Sequence, residues 1–207
     1  MTEGNAINWN ALFVEYSKPM WNSLFRFCLT LSKDKPSAED LHQTALLKSL
    51  TAFSKFISSY SSNLQTHHDV DLLFLQPDIR YHFKNWLYKI IKNTFLDQKE
   101  SQKKWNYVDD AQKLSKVATY SSPFDEAASL QGHNPSLLKK EEALFYQNAL
   151  DDDWRKKFQL LNEKQRSIFF LIAEDYSYKE ISSILDIPLG TIMSSLSRAL
   201  EKLKKQK

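Results

Sequence analysis

The sequence has few of the residues that strands, metal clusters and phosphate loops require. Three glycines and six prolines in 207 residues supply little of the turn chemistry that hairpins need, so helices are predicted. The glycines are also too far apart to form a Gly-rich phosphate or dinucleotide loop. A single cysteine, Cys28, excludes an internal disulfide and a Cys-based zinc site, and it fits a reducing cytosol.

Long apolar runs are missing as well. No stretch of about eighteen apolar residues occurs, and the N-terminus lacks the basic-then-apolar pattern of a signal peptide. We therefore expect a cytoplasmic protein without membrane insertion. The formal net charge of +3 is too small to indicate a nucleic-acid binder by itself. The hydrophobic content of 42% suffices for one or two compact domains.

Recognisable catalytic patterns are absent too. His67, His68 and Asp69 form the only cluster of histidine with an acid, and adjacent side chains do not converge as ligands on regular structure. No Ser/His/Asp order or paired-carboxylate motif has a supporting context. We expect no catalytic residues, no metal site, no cofactor and no enzymatic activity.

The most informative stretch is Ser177–Leu203, which predicts a helix-turn-helix. Ser177 and Glu180 have the spacing of a capping box, and Pro188 is suited to the start of the next helix. In that second helix the apolar positions share one side and are Ile192, Leu196, Ala199 and Leu203. The other side carries hydroxyls and cations, namely Thr191, Ser194, Ser195, Arg198 and Lys202. Such a face suits the major groove, but periodicity alone does not distinguish it from an ordinary helical hairpin.

A first block, residues 9–104, also has helical periodicity. One amphipathic helix is predicted up to Leu31 and another from a cap at Ser37, whereas 57–79 is predicted to be an insertion loop with at most one short helix. Periodicity resumes at Arg80 in a helix with Trp86, Lys89, Lys92 and Asn93 on neighbouring positions. Cations that follow a backbone and a ring that stacks on bases would bind a single strand. A solvated lysine face with a core tryptophan is the alternative.

The remaining chain divides into two parts. Residues 105–138 are rich in Ser, Gln, Asp and Ala without a sustained period, which indicates an interdomain linker. Residues 139–207 predict a second helical domain that contains the helix-turn-helix. The fold class is therefore all-α, with two small helical domains joined by a flexible linker.

Two segments, in this order, resemble one family. The first is AEDLHQTALLKSLTAF at 38–53, followed by FKNWLYKIIKNTFLDQ at 83–98, and the second is 160–203. Together they are similar to bacterial RNA polymerase sigma factors of the small extracytoplasmic-function (ECF) type. The resemblance implies a factor that directs core RNA polymerase to promoters and aids promoter melting, with core polymerase and promoter DNA as partners. It leaves open an anti-sigma factor, the promoter consensus and the inducing signal.

The resemblance also implies roles for individual residues. The helix with Asp40, Leu41, Gln43 and Lys48 corresponds to the one that docks on core polymerase. Trp86, Lys89, Lys92 and Asn93 lie on the helix that melts and captures the minus-ten element. Thr191, Ser194, Ser195, Arg198 and Lys202 correspond to the reader of the duplex minus-thirty-five element.

Departures from the family pattern keep two other functions open. Met193, Ser195 and Leu200 stand where the family's recognition helix commonly has basic residues, so upstream-element affinity should be modest. That depletion would suit a sigma-like polymerase-binding regulator or decoy without promoter recognition. A self-sufficient helix-turn-helix repressor is the third possibility.

Overall fold

The computed structural model of the chain describes residues 7–32, 34–61, 64–111, 158 and 160–205, with the backbone alone for 103–111. In these ranges the secondary structure is helical throughout, which confirms the all-α prediction. The α-helices, numbered α1 to α8, are Trp9–Ser17, Trp21–Leu31, Lys35–Ser58, His67–Phe74, Pro77–Ala111, Glu163–Ala173, Tyr178–Leu185 and Leu189–Lys204. The linker residues 112–138 and residues 139–157 of the predicted second domain lie outside the described residues.

The first predicted helix is interrupted near Pro19. α1 ends at Ser17, a 3-10 turn spans Lys18–Met20, and α2 follows from Trp21. Proline lacks an N–H and its ring crowds the preceding turn, so a continuous α-helix is unfavourable here. The predicted cap of α3 was also wrong. The cap is Asp34, whose side chain accepts a hydrogen bond from the backbone N–H of Ser37 at 2.8 Å.

The core of the first five helices is built from aromatic rings. Phe53 of α3 is fully buried, and its ring centroid lies 5.5 Å from those of Phe13 of α1 and Phe83 of α5. Phe74 of α4 contacts the same cluster, 5.4 Å from Phe83. Edge-to-face and tilted pairs at these distances add to the burial energy. One cluster therefore joins four helices.

The segment 57–79 contributes to this core through the one short helix that the sequence allowed. Thr66 and Asp69 form a capping box at the start of α4, and Val70 is fully buried. Tyr16 of α1 stacks on Phe74 with ring centroids 3.8 Å apart and donates a hydrogen bond to Asp71. The segment is thus an integral part of the block and its middle is not a plain surface loop.

The last three helices form the predicted helix-turn-helix with one preceding helix. Asn162 and Gln165 make a capping box at the start of α6. Ser177 and Glu180 make the capping box that the sequence predicted at the start of α7. Asp186 ends α7 in the left-handed conformation (φ 54°), which produces the bend before α8. Pro188 occupies the N-cap of α8.

The described residues up to Leu96 and those from Leu161 onward form one compact unit. We call residues 7–96 the N-terminal block and 161–205 the C-terminal block. Within the unit α2 packs against both α3 and α6, and the ring of Phe27 lies 5.3 Å from that of Phe170. α5 continues to Ala111, beyond the expected linker start at 105. None of the helices in the described ranges is long and apolar enough to cross a bilayer.

Candidate nucleic-acid interface

The outer face of α8 is presented as the sequence predicted. Ile192, Leu196, Ala199 and Leu203 are buried against the rest of the block. Arg198 and Lys202 are exposed, and Thr191, Ser194 and Ser195 are half-buried beside them. Leu200 is also buried, so this position contributes to packing.

The turn between α7 and α8 is fixed by local hydrogen bonds. The Ser182 hydroxyl donates to the carbonyl of Ile187 at 2.6 Å, and the backbone N–H of Ile187 donates to the backbone carbonyl of Ser182 at 3.2 Å. Gln165 of α6 adds a 3.4 Å hydrogen bond to the carbonyl of Ser195. These bonds set the angle at which α8 leaves the turn, and therefore the direction of its outer face.

A second feature is an open cleft of about 560 Å³ at the N-terminal half of α5. Trp86 is half-buried at its wall and stacks on Phe56 with ring centroids 4.7 Å apart and planes at 29°. The cleft also presents the rings of Tyr60, Tyr81 and His82. Flat rings with one exposed face are the groups on which bases stack. We call this feature the aromatic cleft.

The aromatic cleft is bordered by residues of both blocks. Lys89 of α5 donates a hydrogen bond from Nζ to the hydroxyl of Ser183 on α7 at 3.0 Å. Burial, followed by a hydrogen bond to Glu180 of α7, raises the pKa of Tyr81 to about 12. Tyr81 is therefore a neutral hydroxyl donor at physiological pH.

The other predicted residues of α5 lie further along the helix. Lys92 lines a neighbouring apolar groove of about 310 Å³ together with Leu31, Leu96 and Leu185. Asn93 is exposed. The structure thus brings Trp86 and Lys89 together at the aromatic cleft, while Lys92 and Asn93 lie one turn beyond it.

Three of the four residues expected to contact polymerase are exposed and one is buried. Asp40, Gln43 and Lys48 are exposed along α3. Leu41 is fully buried, so its role is to pack α3 against the core and it presents no surface. Leu47, which the sequence did not single out, is 64% exposed on the same helix. A single exposed leucine is ordinary at a protein surface, so its exposure alone does not mark a contact.

At the contact between the blocks, the carboxylate of Glu174, which follows α6, accepts hydrogen bonds from side chains of α2 and α5. Glu174 accepts hydrogen bonds from Ser23 at 2.7 Å, Arg26 at 2.8 Å and Lys84 at 2.9 Å. Burial raises the pKa of Glu174, but the Lys84 and Ser23 hydrogen bonds and the charges of Lys84 and Arg26 outweigh it, so the pKa lies below its ordinary value. The group is ionised at neutral pH.

No pattern in the sequence indicates this contact. Glu174 lies beside Asp175 in the connection between two helices, and its partners are far away along the chain. Tyr88, which is fully buried with its hydroxyl 2.5 Å from that of Ser23, was also missed. His, Cys, Asp and Glu side chains in the described ranges form no group of three or more that could hold a metal ion.

A helix-turn-helix with an exposed hydroxyl and cation face, carried by an all-helical protein, defines a class of DNA-binding proteins. Residues 152–203 match the family described as Sigma-70, region 4.

Most of the chain is similar to two proteins of Bacillus subtilis strain 168. It is 27% identical over 183 residues to the ECF RNA polymerase sigma factor SigM, covering 88% of this chain and 87% of SigM. It is 23% identical over 194 residues to the ECF RNA polymerase sigma factor SigW, covering 89% and 83%. The sigma factor RpoE of Bartonella quintana, solved in complex with the anti-sigma factor NepR, matches with a TM-score of 0.51 and 25% identity over 93% of this chain and 94% of that one. Over most of its length the chain is thus similar to ECF sigma factors.

Proposed function

We propose that this protein is a sigma factor that directs core RNA polymerase to specific promoters and aids promoter melting in transcription initiation. The observation that carries the proposal is the region 4 match at 152–203, which coincides with the exposed outer face of α8. The similarity to SigM over 88% of the chain extends the same function to the N-terminal block. RNA synthesis itself belongs to the polymerase, and the factor acts by binding.

The outer face of α8 is proposed to read the duplex minus-thirty-five element. Arg198 and Lys202 are exposed, so they can reach phosphates or base edges, and the hydroxyls of Thr191, Ser194 and Ser195 lie beside them. Arginine pairs bidentately with guanine, and hydroxyls accept or donate at any base. The small number of cations predicts modest affinity and a shallow salt dependence.

The aromatic cleft is proposed to capture the opened minus-ten strand. Trp86 offers a ring for stacking, while Lys89 and Lys92 supply charge for the backbone and Asn93 supplies an amide. Base–aromatic stacking contributes about 1–3 kcal/mol per base. That energy can offset part of the cost of separating the strands.

The exposed face of α3 is proposed to dock on core polymerase through Asp40, Gln43 and Lys48, with Leu47 as an apolar neighbour. Polymerase would then hold the two DNA-binding surfaces at the spacing of the promoter elements. Two weak contacts on one platform become one strong bivalent contact. The proposed domains remain 9–104 and 139–207 with a linker at 105–138, and we place the protein in the cytoplasm with polymerase.

The solved relative RpoE is bound to the anti-sigma factor NepR. We propose that an anti-sigma factor also binds this protein.

The test combines purified protein, bacterial core polymerase and a library of fork-junction promoters. Selective, polymerase-dependent opening of a subset of promoters would support the proposal. Polymerase binding without opening would show a regulator without promoter recognition, and duplex binding without polymerase would show a repressor. Both of these results would overturn the proposed function.

Variants connect the two surfaces to separate steps. Trp86→Ala should impair opening while polymerase binding stays intact, and Trp21→Ala, another half-buried tryptophan of the N-terminal block, is its control. Arg198→Ala should weaken closed-complex binding, with the exposed Lys55→Ala as the charge-matched control. Unchanged opening by Trp86→Ala, or unchanged closed-complex binding by Arg198→Ala, would remove that residue from its assigned surface.

A further inference from the structure

The first turn of α8 exposes an apolar side chain at the tip of the helix-turn-helix. Leu189 is 40% exposed, whereas Ile192, three positions later, is fully buried. Because the side chains of a helix tilt toward its N-terminus, a side chain in the first turn projects beyond the start of the helix. Exposure of one leucine is not enough to indicate a ligand, but the position of Leu189 and the chemistry of its neighbours add to it.

The position gives Leu189 access to bases. In helix-turn-helix proteins the N-terminal residues of the second helix contact base edges in the major groove. Gly190 follows Leu189, and a Cβ placed there would meet no atom outside its own turn within 4 Å, among the residues that the structure describes. Internal packing therefore does not require a glycine here. Its small size instead lets a groove wall approach the backbone beside Leu189.

The composition of this end of α8 leaves hydroxyl and apolar groups to recognise bases. No charged residue precedes Arg198 in the helix. The Ser194 hydroxyl donates to the backbone carbonyl of Thr191 at 3.2 Å, which leaves its oxygen as an acceptor. Met193 is half-buried and lies four positions after Leu189, so the two share one side of the helix. The base feature that an apolar side chain recognises in the major groove is the 5-methyl group of thymine.

We propose that Leu189 is a specificity-determining residue that contacts thymine methyl groups in the duplex minus-thirty-five element, with Met193 extending the apolar contact along α8. The inference deepens the proposed function, on which it rests for the assignment of α8 to duplex DNA. It gives an apolar side chain a part in base recognition at the end of the helix that has no cation. The minus-thirty-five element that the protein selects should therefore place thymine at the first turn of α8.

The direct test removes the methyl group from the DNA. Promoter duplexes with a random minus-thirty-five element are selected with the protein bound to bacterial core polymerase, and are then remade with deoxyuridine in place of thymidine in that element. This exchange deletes the 5-methyl group and keeps the hydrogen-bonding groups of the base. We expect the dissociation constant of the closed complex to rise about fourfold for each methyl group in contact. Leu189→Ala should bind both kinds of duplex equally.

Three comparisons separate this contact from a general effect on α8. Leu72→Ala, at a leucine of α4 that is 48% exposed, is the matched control and should keep the wild-type ratio of the two dissociation constants. Leu189→Ala should keep the wild-type salt dependence because it removes no cation, whereas Arg198→Ala should reduce it. Gly190→Ala should weaken binding to both duplexes by crowding the groove wall, without lowering the thermal midpoint, because alanine is the better helix former.

The outcomes separate this inference from the proposed function. Equal affinity of the wild type for the thymine and uracil duplexes would overturn the methyl contact, and so would a ratio that persists in Leu189→Ala. Unchanged binding by Gly190→Ala would overturn the close approach at the first turn. Failure of the proposed function would appear elsewhere, as absent polymerase-dependent opening by the wild-type protein. The same ratio is measured in parallel with the full chain alone on the same duplexes, so the two failures are distinguishable.

Discussion

Arg166 makes a second contact between the blocks and yields a quantitative prediction. Its Nε donates to the carbonyl of Thr30 at 2.7 Å, and one terminal nitrogen donates to the carbonyl of Leu161 at 2.9 Å. The Thr30 carbonyl is among the last of α2, which have no partner inside their helix and carry the negative end of its dipole. A cation donor is therefore well placed there.

The expected cost of Arg166→Met follows from these bonds. Each hydrogen bond from a charged donor contributes about 1.5–3 kcal/mol. Arg166 is only half-buried, so water compensates part of the loss, and methionine keeps the apolar stem. We expect the free energy of unfolding to fall by about 2 kcal/mol.

The measurement is urea unfolding at neutral pH, followed by circular dichroism. Lys164→Met, at an exposed lysine of the same helix, is the matched control and should cost less than about 0.5 kcal/mol. In a Glu174→Gln background, Arg166→Met should lower the free energy of unfolding by a smaller amount, because both residues stabilise the contact between the N-terminal and C-terminal blocks. A loss for Arg166→Met no larger than that of the control would refute the role of the Thr30 contact.

Three further predictions test other parts of the structure. Phe53→Leu should lower the free energy of unfolding by about 2 kcal/mol, because the aromatic core of the N-terminal block loses its central ring; thermal and urea unfolding measure it. Asn162→Ala should cost about 1 kcal/mol in the same assay by removing the cap of α6, and an unchanged midpoint would contradict the capping role. The pKa of Glu174 is lowered below 4.5, so its stabilisation is complete above about pH 4.5 and is lost as the pH falls through the lower folded value. As the pH falls below the ordinary glutamate pKa, the wild type should therefore lose more stability than Glu174→Gln, and parallel losses would contradict the ion pairs.

Local patterns were the part of the fold that the sequence could predict. The capping box at Ser177 depends on residues three positions apart, and it formed. The buried side of α8 follows from helical periodicity alone, and all of its predicted members are buried. Pro19 is a local signal for a break in the first predicted helix. The helical spacing of apolar residues continues past it to Leu31, however, and therefore predicted one continuous helix.

Contacts between distant segments could not be predicted. Ser23 and Glu174 are 151 residues apart, and nothing in the composition around either residue marks a partner. Leu87 and Ile91 of α5 are four positions apart, so helical periodicity accounts for the burial of both. It gave no warning that Tyr88 is buried too, because that position becomes interior only when α2 and α6 pack around it.

The short helix α4 is an intermediate case. The Thr66 and Asp69 spacing is a capping signal, but eight residues are too few for a clear period. Its stability comes from tertiary contacts, chiefly the stacking of Phe74 on Tyr16, as is usual for helices of that length. The fact that it packs into the core is therefore visible only in the structure.

The two sharp bends of the C-terminal block are made by aspartates. Asp175 and Asp186 have φ values of 63° and 54°, a region that asparagine and glycine enter readily and β-branched residues almost never do. In a saturation library selected for folded protein, both positions should accept glycine and asparagine and exclude valine and isoleucine. The chain uses aspartate at two bends where glycine is common. A narrow range of accepted residues at these exposed acids would therefore reflect backbone geometry and would not indicate a binding partner.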